Sequence, residues 1–452
     1  MTPKELEDSY NSTKFTFHNY IDGIKKNSIW DLYTIINATL VKNPFASTLP
    51  LLFFKKETKK TNLLTLFLKR LPKYYLKVTH HFLSYIVATA IYKIYFKKKR
   101  QNRLETIIDT FGLVDKNIKE QKFSENYLTG IYEIFEEYKT HYAILLRPYQ
   151  VWKNPFKLMK FFKIIQEDKR DFVFEYEFLT VFDFVKLLYI SYIYPFKTLR
   201  LLQKEQNELN NLFNYALIED IKHTNYEAFT RYILGINLSK QKEIKRVFSW
   251  SEFQVIERSF NYAIRKNNPN IELVGLQVYI NYETYLNTYC DDLDYEMQSS
   301  PHKILVNGKH YKLDRKKVFY DTGVSLRYKD IFSFTGIEND KNILLLGSYM
   351  EYDTKYMLQN VQGLENVIFK NHPAVDIKRL GNISKNIEIS NENIYKLFKN
   401  AKIVIGTASG TAVEALACEV SVVIIASVDN LTANPLIEVG KGKIWDIVYD
   451  IK

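Results

Sequence analysis

From Lys341 onward the chain repeats one pattern that few folds can accommodate: a continuous apolar run, a break at small or polar residues, then a short stretch of helical character. NILLLGSYM is followed by DTKYMLQNV, NVIFKNHP and IEIS by NENIYKLFKNA, and KIVIGTA by SGTAVEALACE and then VSVVIIAS. Strands that are apolar at every residue have no solvent face, so both faces must be covered, and the intervening helices supply the cover. The expectation is a parallel, Rossmann-like sheet whose ligands lie beyond the carboxyl ends of its strands. Residues 331–452 are assigned to this domain.

The same alternation is weaker over Lys242–Asp330. IKRVFSW reads as a strand, SEFQVIERSFNYAIRK as a helix and IELVGLQVYI as a second strand after the turn at Pro269. HKILVNGKHYKLD reads as a strand, an Asn-Gly turn and a returning strand. These segments are expected to form the second half of another Rossmann-like domain. The first 240 residues are mainly helical by pattern, as in SENYLTGIYEIFEEYKTHYAILL and NELNNLFNYALIEDI, while DFVFEYEFLTVFDFVKLLYISYIYPF fits either state. The expected fold class is α/β: two Rossmann-like domains facing a cleft. The first, residues 1–330, carries an N-terminal helical elaboration and a basic insertion near 51–100.

A chain of 452 residues exceeds one ordinary core. Its net charge of +12 favours anionic partners without choosing among them. The two cysteines, Cys290 and Cys418, stand in unrelated contexts without metal-ligand spacing, which suits a reducing compartment and neither a disulfide framework nor zinc. The opening residues lack a basic segment followed by an apolar one, so no secretion signal is expected. The run Phe82–Phe96 is interrupted by Lys93 and falls short of the ~20 residues a spanning helix needs. A cytoplasmic location is expected.

The chemistry is sought at the strand ends. Gly406-Thr407-Ala408-Ser409-Gly410-Thr411 leads from a strand into a helix, whose first N–H groups lack intrahelical partners and carry the positive end of the dipole. Small residues there let a phosphate approach, with Ser409 and Thr411 as hydroxyl donors. Glu414 is placed to accept from ribose hydroxyls. A plain helix cap at Ser409, with Glu414 as a first-turn acid, fits the same residues. Upstream, His372 offers an imidazole N–H beside Pro373 and Lys370, and the strand before it ends at Gly347-Ser348; these are further donor-binding candidates.

Together these residues carry a resemblance. KNHP followed by GTASGTAVEALACEVSVVI resembles the C-terminal domain of GT-B glycosyltransferases that use CMP-activated acidic sugars. Those are the capsule and lipopolysaccharide Kdo transferases, the bacterial sialyltransferases and the related glycerophosphate polymerases that use CDP-glycerol. The resemblance implies that His372 and Pro373, with Ser409, Gly410 and Thr411, hold the nucleotide phosphate and help CMP depart, with Glu414 among the ribose or base contacts. Many of these families have two adjacent hydroxyl residues where this chain has Ser409-Gly410, which leaves Thr407 and Thr411 as substitutes. VFSWSEFQVIERSFNYAIRKNNPNIELVGLQVYI is similar to surface-carbohydrate-biosynthesis proteins grouped with retaining Kdo transferases, through its Trp-x-Glu, Glu-Arg and Gly-x-Gln. The two matches cover roughly Arg246 to the C-terminus.

The second match implies that Glu252 acts as general base on an acceptor hydroxyl or stabilises an oxocarbenium-like centre. Gln254, Arg258 and Gln277 would bind the sugar carboxylate or acceptor, and Asp321, in VFYDTGVSLRY, is a candidate nucleophile. The residues by themselves also allow Glu252 as a helix-start acid and Arg258 as a helix-surface partner. No cofactor is expected beyond the CMP-sugar donor substrate. No metal is expected either: DDLD at Asp291 lies in a polar stretch, and His80-His81 has no carboxylates at ligand spacing.

Over Leu51 to Arg100, Lys and Arg recur among Leu, Phe and Tyr, with Glu57 the first acid and no other until Glu105. Such a surface suits the inner face of the cytoplasmic membrane and a lipid-linked acceptor; it equally suits a helical subdomain with solvated lysines. The expected reaction is transfer of Kdo or a similar ulosonic acid to a bacterial surface glycan or lipid-linked acceptor. The alternatives are phosphopolyol transfer from a CDP-linked donor, epimerisation of a UDP-sugar, a nucleic-acid binder, or a silent scaffold. No RNP-like sequence, zinc finger or basic recognition helix occurs, and no nucleic-acid partner is expected.

Overall fold

The computed structural model describes residues 8, 19–20, 23, 31–40, 62–97, 104–125, 127–149, 154–204, 208–278, 280, 289–323, 326–407, 409–426, 434, 436 and 439–448. The chain divides into two compact units: an N-terminal one, chiefly Thr13–Val278 and Asn287–Arg327, and a C-terminal one, chiefly Tyr328–Lys452.

The N-terminal unit holds strands β1 (Thr106–Leu113), β2 (Ala143–Tyr149), β3 (Phe172–Val173), β4 (Arg246–Ser251), β5 (Glu272–Gln277), β6 (Lys303–Val306) and β7 (Phe319–Thr322). They form one sheet in the order β3-β2-β1-β4-β5-β6-β7, and every neighbouring pair is parallel. The chain winds outward from β1 to β3, then crosses to the other side of β1 with β4. That reversal makes the β1/β4 boundary the topological switch point, where neighbouring loops part and leave room for a ligand.

One face of this sheet is apolar by alternation. Ile107, Leu145, Val247 and Leu273 pack against Leu234, Leu238, Phe260 and Ile264 from the helices Tyr226–Ser239 and Val255–Asn267. These helices approach closely at Gly235, where an added Cβ would stand 2.7 Å from Ala263 Cβ and 2.9 Å from the Phe260 carbonyl. On an isolated helix Gly→Ala stabilises by about 1 kcal/mol. Here the clash wins, and Gly235→Ala is expected to lower the unfolding free energy by about 1–3 kcal/mol in urea denaturation.

Three expectations change in this unit. AILL, Ala143–Leu146, belongs to β2 rather than to the preceding helix, which ends at Glu137. The ambiguous aromatic stretch resolves into β3, the short helix Glu175–Phe178 and the helix Val181–Leu201. The Asn307-Gly308 turn makes no hairpin. Asn307 Nδ2 donates to the Gln277 carbonyl at 2.9 Å, the chain enters a 3-10 turn at Lys309–Tyr311, and β7 returns parallel to β6.

Of the basic stretch 51–100, residues 62–97 are described, and Leu63–Tyr95 is a single helix of 33 residues. It is tied to the unit by Arg70, whose guanidinium grips Glu219 at 2.6–2.9 Å, and by the Tyr74 hydroxyl donating to the Ser191 carbonyl at 2.6 Å. Among the described residues, no helix is long and apolar enough to cross a membrane.

The C-terminal unit holds β8 (Asn342–Leu346), β9 (Val367–Lys370), β10 (Ile387–Ile389), β11 (Ala401–Gly406), β12 (Ser421–Ile425) and β13 (Trp445–Val448). All are parallel, in the order β10-β9-β8-β11-β12-β13. Successive residues of β8 serve opposite faces, as strand geometry requires. Leu344 and Leu346 join one core with Val404, Val422 and Ile424, while Leu345 joins the other with Val367, Phe369, Ile405 and Ile425. Both faces are covered, and the switch point lies between β8 and β11.

Candidate functional site

Glu252 is the first residue beyond β4, at the switch point of the N-terminal sheet. The next residue, Phe253, has φ of 56°, a left-handed conformation costly for an aromatic residue, so the turn must be held from outside. Glu257 holds it by accepting the N–H groups of Glu252 at 2.9 Å and Gln254 at 3.2 Å. Arg258 holds it from beneath, donating Nε–H to the Phe253 carbonyl at 2.7 Å while its guanidinium ion-pairs with Asp294.

Burial pushes the Glu252 carboxyl up to about 7, against the opposing pull of a 2.9 Å hydrogen bond from Gln254 Nε2 and of the Arg327 charge. A carboxylate poised there accepts a proton near neutral pH. Burial, and then the neighbouring Glu252, pushes Glu257 well above the usual carboxyl range as well.

An aromatic cluster lies alongside, with Phe111 and Trp250 buried and Tyr149 exposed. The Phe111 ring sits 4.9 Å from both Tyr127 and Trp250 and 5.7 Å from Tyr149, and the Arg327 guanidinium lies 5.4 Å over Tyr127. Flat apolar faces beside hydrogen-bonding groups suit a sugar ring, which presents C–H faces and hydroxyl edges. Phe111, Tyr127, Tyr149, Trp250 and Arg327 were not among the residues singled out from the sequence. Trp250 stood in VFSWSEF and Arg327 in VFYDTGVSLRY, so adjacency to a proposed carboxylate was the available signal.

Gln254 and Gln277 belong to this edge, Gln277 closing β5 in register with Ser251. Arg258 and Asp321 do not meet their expected roles. Arg258 is 1% exposed and committed to Asp294 and the Phe253 carbonyl, so it supports the Glu252 turn rather than reaching a sugar. Asp321 lies on β7, three strands from β4, roughly 14 Å at the usual interstrand spacing. It pairs with Lys303 at 3.1 Å and Lys312 at 3.5 Å, and the hydrogen bond from Lys303 holds its carboxyl below the usual range.

In the C-terminal unit, Gly347 follows β8 and His372 follows the adjacent β9. A Cβ at Gly347 would stand 2.9 Å from the His372 backbone nitrogen, so glycine is what lets the two loops touch. His372 is half-buried, and burial holds its imidazole below the usual range. Its Nδ1 accepts the Ala374 N–H at 3.1 Å, which places the ring proton on Nε2 as a donor. Pro373 is exposed beside it. Thr407, buried, follows β11 across the switch point. Two residues further along, Ser409 Oγ accepts from the Thr411 N–H at 3.3 Å, and the Gly410 carbonyl accepts from Val413.

Three other candidates are engaged locally. The buried Ser348 hydroxyl donates to Asp353 at 3.1 Å and accepts from the Met350 N–H at 3.1 Å, starting the helix Glu351–Asn360. Lys370 Nζ donates to the Glu392 carbonyl at 2.5 Å. Glu414 accepts the Tyr395 hydroxyl. These bonds are the local partners of three of the donor-binding candidates, Ser348, Lys370 and Glu414. Asp353, which the sequence analysis did not single out, is pushed up to about 6 by burial; an acid in the helix turn after a strand-end glycine was its signal. Among the described residues, no group of three His, Cys, Asp or Glu is placed to hold a metal.

No family model matches the chain, and no curated protein matches it. Among solved structures it is similar to the Methanocaldococcus jannaschii UDP-GlcNAc 2-epimerase in complex with UDP-GlcNAc and UDP, at 14% identity over 76% of this chain and 89% of that one, with a TM-score of 0.38. It is similar also to the calicheamicin glycosyltransferase CalG4 (9% identity, 77% and 86% covered, TM-score 0.35). The wall teichoic acid polymerase TagF gives 12% identity, 78% of each chain and a TM-score of 0.32. At these values the likenesses carry nothing about activity. The fold itself is two parallel-sheet α/β units with a helical N-terminal region, the make-up of a GT-B fold.

Proposed function

We propose that the chain is a glycosyltransferase moving a sugar from a nucleotide-activated donor to a hydroxyl acceptor. The proposed donor is a CMP-linked ulosonic acid such as Kdo, and the proposed acceptor a surface glycan, free or lipid-linked, met in the cytoplasm. The observation that carries the reading is Glu252: a carboxylate at a switch point, raised to about 7, beside a cluster of aromatic rings and a guanidinium. Glu252 would take the acceptor hydroxyl proton as that oxygen bonds to the anomeric carbon. The bond from that carbon to the phosphate oxygen breaks, and CMP leaves with the electron pair. His372 Nε2–H would hydrogen-bond a departing phosphate oxygen, with Thr407 and the Ser409–Thr411 loop as further donors. Two buried cysteines outside any disulfide, Cys290 and Cys418, suit a reducing compartment.

The same base would serve a hydroxyl attacking phosphorus in a CDP-linked polyol, so the donor must be decided by binding. CMP at 100 times its Kd should stabilise the protein by about 2.7 kcal/mol. His372→Ala should weaken CMP by about 10- to 100-fold, the range for a hydrogen bond to a charged group. Thermal shifts with CMP, CMP-Kdo, CDP-glycerol and UDP-GlcNAc read the outcome. Stabilisation by CDP-glycerol but not CMP-Kdo moves the assignment to phosphopolyol transfer, and no shift with any of them removes the transferase reading.

A further inference from the structure

The long helix Leu63–Tyr95 buries one face, with Leu66, Phe67, Tyr74, Val78, Tyr85 and Ile91 in the core. Its opposite face is also apolar. Leu64, Leu68, Leu76, Leu83, Val87 and Ile94 recur at spacings of four, seven or eight residues and are 47% to 74% exposed. This stripe is about 45 Å long at 1.5 Å per residue. The helix Val181–Leu201 repeats the arrangement: Phe182, Val185, Tyr189, Tyr192 and Phe196, three or four residues apart, are all exposed, Phe182 at 85%. The two helices lie side by side and antiparallel, with ring contacts at Phe67–Phe196 (5.8 Å), Tyr75–Tyr192 (4.9 Å) and Phe82–Phe184 (6.3 Å). Two stripes on touching helices make one apolar face, larger than scattered surface hydrophobics explain.

Charge identifies the occupant. Lys69, Lys73 and Lys93 are exposed along the first helix, which contains no Asp or Glu, and Lys186 is exposed on the second. The one acid of the second helix, Asp183, is occupied at its start, accepting from the Thr180 N–H and hydroxyl at 2.8 Å. A second copy of the chain would set lysines against lysines. A bilayer with anionic headgroups offers hydrocarbon to the stripe and negative charge to its flanks. Neither helix is apolar enough to span.

We propose that the paired stripes of Leu63–Tyr95 and Val181–Leu201 seat the N-terminal unit on an anionic membrane surface, both helices lying in the headgroup zone. The surface stands on its own residues, apart from Glu252 and His372, so it holds or fails independently of the transferase reading.

Vesicle flotation of the full chain tests it, with phosphatidylcholine alone and with phosphatidylcholine containing phosphatidylglycerol. The expected result is flotation with the anionic vesicles, little with the neutral ones, and weakening as salt rises. The triple variant Leu76→Ser, Phe182→Ser, Tyr189→Ser and, separately, Lys69→Glu with Lys73→Glu should each reduce anionic-vesicle binding at least tenfold. Because these side chains are exposed, melting temperatures should stay near that of the parent. Phe182→Trp gives a readout without loss of apolar area: its fluorescence should shift blue on anionic vesicles and be quenched by brominated lipid. No flotation, equal flotation of the triple variant, or lipid-independent self-association abolished by the triple variant would each overturn the proposal.

Discussion

Glu252→Gln should lower kcat by about 10²- to 10⁴-fold, the usual contribution of a positioned general base, with KM for donor and acceptor little changed. A base works unprotonated, so parent kcat/KM should rise with pH through about 7 and level off above it. The variant should lose that limb. A second readout separates catalysis from architecture. The carboxyl is raised from its ordinary 4.5 to about 7 in the fold, so the folded state holds the proton more tightly than the unfolded one. The stabilisation this proton gives is complete below the ordinary carboxyl value and gone once pH has passed through about 7. Ionised Glu252 therefore costs the fold roughly 2–3 kcal/mol at pH 8. Glu252→Gln carries no such charge and should melt above the parent at pH 8 and close to it at pH 5. A variant that keeps its activity, or gains no stability as pH rises, would sink the assignment.

Arg258→Met should cost about 3–5 kcal/mol in urea unfolding, because it removes the guanidinium that ion-pairs with the buried Asp294. Asp294→Asn should cost less, since Arg258 keeps its bond to the Phe253 carbonyl. The double variant should recover part of the loss, because an unpaired buried charge is worse than none. A sugar-binding arginine behaves otherwise: its loss raises KM and leaves stability nearly unchanged. The Arg258→Met protein should also lose kcat, since the strained Phe253 turn that presents Glu252 loses its anchor. A normal melting profile with a raised KM would return Arg258 to the binding role.

The C-terminal sheet was legible because its strands are apolar on both faces, a pattern a surface helix cannot share. The first half of the N-terminal sheet was not. In β1, Asp109 interrupts TIIDTFGL, and only the structure supplies the reason it can be buried: Arg231, far along the chain, receives it with both guanidinium nitrogens. In β2, Arg147 and Pro148 break the apolar run. A strand that holds a buried ion pair shows no clean apolar pattern until its partner is known. Glu252 was singled out by the resemblance of VFSWSEF and its neighbours, and His372 by its place after a strand end. Tyr127 lies 125 residues before Glu252 and Arg327 75 after it, and only folding brings them beside it.

All strands of each sheet run one way, so in each unit the loops named above lie at one rim of its own sheet, and the chain returns to the strands at the other. Those returns include the exposed turn at Pro269 and Asn270 before β5 and the exposed Asp340 before β8. Fluorophores or affinity tags attached there would leave both rims of reactive loops untouched. A single label at 270 or at 340 would then follow nucleotide binding to its own unit.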